Sequence, residues 1–372
     1  MKRRSPAESF GHEWFLGVSM ATALVFAFGR EPLFAAQANP LGLSLIFAWL
    51  FLVVMGSTLR VVHHADHVAT ALGDPYGTLV LTLSVTAIEV MSISAVMLHG
   101  ENNPTLVRDT LFAVVMIILG GMVGGSLLLG GLRYREQHYN LQGANVYLSV
   151  IIPLAVLTLS LPNFTMTTPG PTLSMAQQIF LVIMSAGLYA AFLAIQTGRH
   201  RGYFILDEDS GKLAEQAKEA APGSLGRHAA MLIAYMLPVP FLAEQLAHPI
   251  DYFIETLHGP QALGGVIIAM LVATPEALSA ARAAMANTLQ RSVNIFLGSV
   301  LSTIGLTVPI MLAVSYFTAH EVYLGLSAAN DLLLVLTLGV SVVTFASGRT
   351  NIMQGAVHLV LFAAFVMLIF QA

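Results

Sequence analysis

Long apolar runs separated by short polar connections are the dominant pattern along the chain. A helix needs about 20 apolar residues to cross the hydrocarbon core of a bilayer. Roughly eleven runs approach this length, near residues 14–35, 41–62, 76–99, 110–131, 145–162, 174–196, 228–247, 261–286, 292–317, 329–346 and 352–371. Because backbone polar groups in lipid must bond within their own segment, we expect each run to be a helix. The predicted fold class is an all-α polytopic membrane protein.

Composition supports this class and excludes others. Hydrophobic residues make up 56% of the 372 residues, charged residues make up 10%, and the mean hydropathy is +0.77. A soluble domain has about a quarter charged residues. The chain has no cysteine, so disulfides and thiolate metal sites are excluded. No basic stretch indicates nucleic-acid binding, and the expected partners are the lipid bilayer and inorganic cations; the pattern leaves the oligomeric state open.

The basic residues predict an orientation, since Lys and Arg accumulate in cytoplasmic loops. With the N-terminus inside, 14 of the 16 basic residues fall in alternate loops on the cytoplasmic side, and only Arg30 and Arg108 lie outside. The C-terminus then faces the periplasm. The longest connection, 197–227, is a cytoplasmic loop in this scheme. Its acidic run from Asp207 to Asp209 favours a solvated loop over a regulatory Ca²⁺ site.

The first run has two interpretations. Basic residues 2–4 precede it and Ala36-Gln37-Ala38 follows it, which is typical of a cleaved signal peptide. Arg30 and Glu31 interrupt the approach to that cleavage site, and this favours an uncleaved anchor helix within residues 1–38.

The two halves of the chain resemble each other around two glutamates. Gly77 lies twelve residues before Glu89, and Gly264 lies twelve residues before Glu276. In the predicted topology the first glutamate helix runs outward and the second runs inward, so the repeats are inverted. Inverted repeats place a transport site near the midplane of the membrane. The chain then divides into an anchor, a first repeat, a loop and a second repeat: 1–38, 39–196, 197–227 and 228–372.

A carboxylate inside a membrane is costly and therefore informative. A charge at the centre of a membrane helix costs about 2.5 to 3.5 kcal/mol, so two at matching positions indicate a function rather than packing alone. Thr82 and Thr86 share a helix face with Glu89, and Thr274 lies beside Glu276. Oxygen ligands of this kind suit hard cations such as Ca²⁺ or Na⁺. Burial favours a protonated carboxyl group, so a cation and a proton can compete for the same pair.

Further residues are predicted to support this site. Pro275 should disturb its helix and free backbone carbonyls as ligands. A helix of small and polar residues follows each glutamate helix, and we expect its glycines to let the glutamate helices approach. The polar members of these two helices are Asp109, Asn294, Ser299 and Ser302. His63, His64 and His67 cluster with Asp66 at a helix end, where a solvated end is favoured over a metal or pH-sensing site.

Several motifs together resemble the calcium/proton exchanger branch of the cation/calcium exchanger superfamily. They are Gly73-Asp74-Pro75-Tyr76-Gly77, Arg108-Asp109-Thr110, Gly130-Gly131-Leu132-Arg133, Thr274-Pro275-Glu276, Gly298-Ser299 with Thr307-Val308-Pro309, and Gly348-Arg349-Thr350-Asn351. The resemblance implies two inverted five-helix repeats after an extra N-terminal helix. It also implies a bacterial inner-membrane protein whose Glu89 and Glu276 bind cation and proton alternately, with no cofactor. The chain departs from the family where Val85-Thr86 and Val272-Ala273 replace the usual Gly-Asn, and where Ile117 and Ile118 replace Ser and Asn.

The function predicted from these features is export of cations in exchange for protons by alternating access. The missing oxygens argue against a high-affinity Ca²⁺ site, so Na⁺ and K⁺ are candidates beside Ca²⁺. The alternatives are an intramembrane enzyme and a cation channel. The spans contain no HExxH, GxSxG or GxGD motif for the first and no TVGYG-like filter for the second.

Overall fold

The computed structural model describes residues 13–35, 40–73, 76–99, 103–206 and 225–371. In these ranges the chain forms eleven apolar helices: α1 Trp14–Ala35, α2 Pro40–Leu72, α3 Tyr76–Met97, α4 Leu106–Tyr134, α5 Leu141–Asn163, α6 Met175–Arg199, α7 Leu225–Thr256, α8 Leu263–Met285, α9 Leu289–Thr318, α10 Ala328–Thr344 and α11 Ile352–Ile369. Nine of these described helices are long and apolar enough to cross a membrane, and α1 and α10 contain shorter apolar stretches. Each predicted run corresponds to one helix, so the all-α polytopic fold is confirmed. The acidic run from Asp207 to Asp209 and the predicted cleavage site lie outside the described residues.

Two hydrogen bonds define the packing of α8 against α9. Ser292 of α9 donates to the Ala280 carbonyl of α8 at 2.7 Å. About two turns further along α9, the hydroxyl of Ser299 donates to the carboxylate of Glu276, which lies about one turn before Ala280 on α8. Residue numbers rise along α9 as they fall along α8, so these two helices are antiparallel.

The packing of α3 against α9 has the other direction. Thr303 Oγ1 of α9 donates to Glu89 Oε2 of α3 at 3.0 Å, and Ser94 Oγ of α3 lies 3.6 Å from the sulfur of Met311 on α9. Residue numbers rise together along both helices, so α3 and α9 are parallel. It follows that α3 and α8, the two glutamate helices, run in opposite directions.

Helix contacts follow one pattern in the two halves. α4 packs on α8 and α11, while α9 packs on α3 and α6. Likewise α2 packs on α3 and α8, while α7 packs on α8 and α3. If each helix from α2 to α6 is exchanged with the helix five positions later, each of these pairs becomes another observed pair; α4–α8, for example, becomes α9–α3. Two inverted units produce this packing.

The buried apolar side chains form two large clusters. The smaller one is built from α1, α2 and α7, and only Ile88, Leu271 and partly buried Ile267 join it from the glutamate helices. The larger one is built from α3–α6 and α8–α11 together with Ala247 of α7. The boundary between the clusters therefore lies beside the glutamate helices and does not follow the division into two halves.

α4 and α9 each contain a π-helical segment, Ile117–Met122 and Thr303–Thr307. Such segments are frequent at functional sites because they interrupt the regular hydrogen bonds of a helix. The glycines of α4 pack differently from the prediction. A Cβ at Gly124 would lie 2.8 Å from the Cγ of Leu359, so this glycine lets α4 approach α11 rather than a glutamate helix.

Pro275 lies within a continuous helix, so the disturbance predicted for it is limited to the hydrogen bond that a proline cannot donate. α8 is continuous from Leu263 to Met285 with Pro275 inside it. Proline still lacks an amide hydrogen, so the carbonyl of Leu271 loses its usual donor. We attribute the intact geometry to packing of α8 between α4 and α9.

The histidine group at the end of α2 also differs from its prediction. α2 continues to Leu72, well beyond the predicted limit near residue 62. His63 and His67 are exposed as predicted, but His64 is only 1% exposed. The prediction of a solvated end was wrong for His64, because α7 packs on this part of α2 and Tyr235 stacks on its ring.

A short pair of strands connects distant parts of the larger cluster. β1 (Gln137–His138) pairs antiparallel with β2 (Arg349–Thr350). The side-chain amide of Gln137 donates to the Ala284 carbonyl at 2.8 Å and to Asn287 at 3.0 Å, beside the turn between α8 and α9. Three connections, α4–α5, α8–α9 and α10–α11, are thereby joined at one end of the molecule.

Candidate transport site

Glu89 lies within α3 and is 2% exposed. Its Oε2 accepts the hydrogen bond from Thr303. Its Oε1 is buried and has no hydrogen-bond partner, and the hydroxyl of Thr307, also buried and unpartnered, lies beside the same carboxylate. A buried acceptor without a donor is costly, so this atom is one that a bound cation or proton would satisfy.

Glu276 lies within α8 and is partly buried. Its Oε2 accepts from the hydroxyl of Ser299. Ser302, one turn further along α9, donates to the backbone carbonyl of Ser299 at 2.9 Å. The predicted residues Glu276, Ser299 and Ser302 are therefore close together.

The two carboxylates meet at one face of α9. Their hydroxyl partners, Ser299 and Thr303, are four residues apart, which is about 6 Å along a helix axis. The two carboxylates interact electrostatically. Two negative charges in a site removed from water repel each other and need compensation, which a cation or a proton provides.

The predicted threonines lie on the glutamate helices but bond to the backbone. The hydroxyl of Thr86 is buried one turn before Glu89 and donates to the carbonyl of Thr82 at 2.9 Å. The hydroxyl of Thr274 donates to the Met270 carbonyl at 2.6 Å. Thr82 and Thr274 are both partly exposed.

Asp109 and Asn294 have partners other than the two glutamates. Asp109 accepts from Arg108 Nε at 2.8 Å, and its backbone packs against Gly265, eleven residues before Glu276 on α8. Eleven residues correspond to about 16 Å of helix. Asn294 donates to the carbonyl of Phe204 at 2.7 Å and so holds the connection after α6.

Sequence reasoning missed Thr303 and Thr307. Both follow Ser299 on α9 at intervals of four residues, which is the spacing of one helix face. This stripe of hydroxyls was a usable signal, although the π-helical segment changes the angle between its members.

The described part of the chain contains no group of three or more His, Asp or Glu side chains arranged to hold a metal ion. The candidate site instead combines two carboxylates with hydroxyls. Carboxylate and hydroxyl oxygens are ligands for hard cations, and a site with few charges suits a cargo that must leave again.

The fold and this site define a class. A polytopic helical protein with one buried and one partly buried carboxylate on antiparallel helices, at the meeting point of two similarly packed halves, is a secondary transporter rather than an enzyme.

The chain belongs to the sodium/calcium exchanger protein family, which matches residues 42–198 and 227–371. It is 39% identical over 320 residues to the sodium-potassium/proton antiporter ChaA of Escherichia coli (strain K12), an alignment that covers 85% of this chain and 86% of that one. It is 41% identical over 317 residues to the putative ionic transporter y4hA of Sinorhizobium fredii (strain NBRC 101917 / NGR234), with 85% and 86% covered. The fold matches that of the selenium-substituted Ca²⁺/H⁺ antiporter protein YfkE with a TM-score of 0.70 at 19% identity, covering 97% of this chain and 100% of that one.

Proposed function

We propose that this protein is a cation/proton antiporter that exports Na⁺, K⁺ or Ca²⁺ in exchange for H⁺ at Glu89 and Glu276. The observation that carries the proposal is that both carboxylates bond to hydroxyls of one helix, while Glu89 Oε1 has no partner. The printed functions of the relatives, a sodium-potassium/proton antiporter and a Ca²⁺/H⁺ antiporter, support the same class of exchange.

Exchange follows from competition for the two carboxylates. A cation between them is held by their negative charge and by the hydroxyls of Ser299, Thr303 and Thr307. A proton on either carboxyl group removes the charge that holds the cation, so the cation leaves. Because only one kind of ligand is bound at a time, movement of one is coupled to movement of the other.

The two hydrophobic clusters suggest how access alternates. The repeats are taken as 39–196 and 228–372 after an anchor within 1–38, with the 197–227 loop between them. The hydrophobic cluster of α1, α2 and α7 combines the anchor with one helix of each repeat, and it is separate from the cluster formed by the other helices. We propose that this smaller unit moves against the larger one and opens the carboxylates to either side, in a bacterial inner membrane with a cytoplasmic N-terminus and a periplasmic C-terminus.

The cation preference follows from an unequal supply of oxygens. The π-helical segments begin at Ile117 in α4 and at Thr303 in α9, so these two residues occupy corresponding positions. Four residues earlier, Ala113 of α4 corresponds to Ser299 of α9. α4 thus presents apolar side chains where α9 presents hydroxyls. Ca²⁺ takes six to eight oxygen ligands. We therefore propose Na⁺ as the preferred cation, with K⁺ and Ca²⁺ as weaker ones.

The test uses everted membrane vesicles that contain a pH-sensitive dye. Addition of Na⁺ should raise the pH of the acidified lumen, and Glu89→Gln or Glu276→Gln should abolish this response at equal protein levels. The matched control is Glu136→Gln, because Glu136 is 56% exposed and pairs with Arg349. Activity retained in both glutamate variants would refute the site, and cation flux that is independent of the pH gradient would indicate a channel.

A further inference from the structure

A cluster of four histidines joins α2 to α7, away from the transport carboxylates. His63, His64 and His67 come from the last part of α2, and His228 comes from the first turn of α7. The Nδ1 atoms of His64 and His228 are 2.9 Å apart. The ring of His67 stacks on His228 with centroids 4.4 Å apart, and the edge of His63 meets His67 at 4.6 Å. All four rings are thus in one chain of contacts.

The contact between His64 and His228 depends on protonation. Two ring nitrogens 2.9 Å apart can share a hydrogen bond only when one carries a proton and the other does not. If both rings are protonated, both nitrogens are donors and both rings are positive, so attraction becomes repulsion. Imidazole normally changes its charge near pH 6.5, and a ring that faces other positive groups accepts its proton only at a more acidic pH.

The surroundings of the cluster supply little negative charge. The charged and titratable groups that face it are Arg60 and Asp66 from α2, Arg227 and Tyr235 from α7, Glu13 before α1, and Arg291 from α9 through Asp66. Glu13 lies 3.5 Å from His64 Nε2 and accepts from the hydroxyl of Tyr235 at 3.0 Å. Two carboxylates therefore face four imidazoles and three guanidinium groups, so protonation of several rings at once is not compensated.

An apolar contact connects this region to the transport site. Val62, next to His63 on α2, packs with Val85 of α3 and Val272 of α8 in a separate small cluster. Val85 lies four residues before Glu89, and Val272 lies four residues before Glu276. A change in the position of α2 therefore acts directly on one turn of each glutamate helix.

We propose that the four histidines form a second proton-binding site, distinct from the transport carboxylates, that loosens the α2–α7 junction when its side of the membrane becomes acidic and thereby sets the pH range of exchange. Neutral rings hold the junction through the shared hydrogen bond and the stacked contacts. Protonated rings repel one another across it. The effect on exchange rests on the proposed antiport function, whereas the change at the junction does not.

The first experiment measures the junction itself. Because the natural chain has no cysteine, Thr70→Cys on α2 and Ala230→Cys on α7 provide two exposed spin-label sites without further changes. The label-to-label distance in protein reconstituted in lipid should increase between pH 7.5 and pH 4.5. In His64→Gln/His228→Gln, whose amides can hydrogen-bond at any pH, the distance should stay constant. The control His138→Gln removes an exposed histidine of β1 and should leave the response unchanged.

The second experiment measures Na⁺-dependent proton movement in proteoliposomes over the same pH range. The double glutamine variant should change the ratio of rates at pH 7.5 and pH 4.5 by about fivefold, which corresponds to one hydrogen bond. If the label-to-label distance does not respond to pH in the labelled protein that keeps all four histidines, the proposal is overturned. So would a response that disappears when a metal chelator is added. If wild-type vesicles exchange no cation while the distance still responds, the antiport proposal fails and the proton site stands.

Discussion

α4 and α9 have corresponding neighbours, but they carry different side chains at corresponding positions. Each follows a glutamate helix, packs on the other glutamate helix and contains a π-helical segment. α9 donates the hydroxyls of Ser299 and Thr303 to the carboxylates, whereas α4 has Ala113 and Ile117 at the positions that correspond when both helices are counted from the start of the π-helical segment. Similar backbone packing is thus combined with different side-chain chemistry. Under the proposed function, the fold positions the carboxylates and the side chains of these two helices set the cation preference.

Removing a hydroxyl from α9 should have the largest effect. Thr303→Val keeps the shape of the side chain and removes the donor to Glu89. A hydrogen bond to a charged group contributes about 1.5 to 3 kcal/mol, so the apparent affinity for Na⁺ in the vesicle assay should fall about tenfold or more. Thr158→Val is the control, because its hydroxyl is buried on α5 without a partner. An equal loss in both variants would contradict the assignment of Thr303.

The contact of α4 with α11 gives the next prediction. Gly124→Ala on α4 would place a Cβ 2.8 Å from the Leu359 side chain and 3.0 Å from the Gly355 carbonyl. The purified protein should be destabilised by about 1 to 3 kcal/mol, seen as a lower Tm. Gly125→Ala meets no atom within 4 Å and should leave Tm unchanged. Equal Tm values for the two variants would show that close packing of α4 on α11 is not required.

Adding a hydroxyl to α4 should make the two helices more alike. Ile117→Thr is of similar shape and adds one oxygen at the position that corresponds to Thr303. The ratio of Ca²⁺ to Na⁺ exchange should rise about threefold, because Ca²⁺ gains more from an additional oxygen ligand. Ile117→Val adds no oxygen and serves as the control. An unchanged ion ratio in the threonine variant would mean that Ile117 does not face the site.

The smallest effect is expected at the strand pair beyond the end of α4. Arg349 lies 3.5 Å from Glu136, and both side chains are more than half exposed. Exposed ion pairs contribute about 0 to 1 kcal/mol, so Arg349→Gln should change Tm by little more than the error of the measurement. A large decrease would indicate that this side chain, and not the backbone of β2, joins the two connections.

The sequence was sufficient to predict the helices, because their length follows from the cost of polar groups in lipid. The assignment of the transport site to the two glutamates rests on the same cost and stays a prediction. Apolar length marks each helix, and an acidic residue within such a length stands out. The partners of the carboxylates were harder to predict. Ser299 was named as a polar residue of the helix that follows Glu276, whereas Thr303 was missed because its contact with Glu89 on a distant helix depends on how the two helices pack.

Other residues that were predicted to support the site also have hydrogen-bond partners that the sequence does not reveal. Asp109 bonds to its neighbour Arg108, and Asn294 bonds to a carbonyl in the connection after α6. Neither partner can be read from helical spacing. His64 was expected to be solvated, since its burial depends on α7, which is more than 150 residues away in the chain.

The joined connections at one end of the larger cluster restrict how the protein can change shape. β1 pairs with β2, Gln137 bonds beside the α8–α9 turn, and Tyr139 accepts from the Gly348 amide at 3.1 Å. A hinge at this end would have to break these bonds together, while α1, α2 and α7 contribute none of them. A ligand designed to arrest the protein should therefore bind at the boundary between the two hydrophobic clusters, beside α2 and α7. The end where the three connections are joined is already held by these hydrogen bonds.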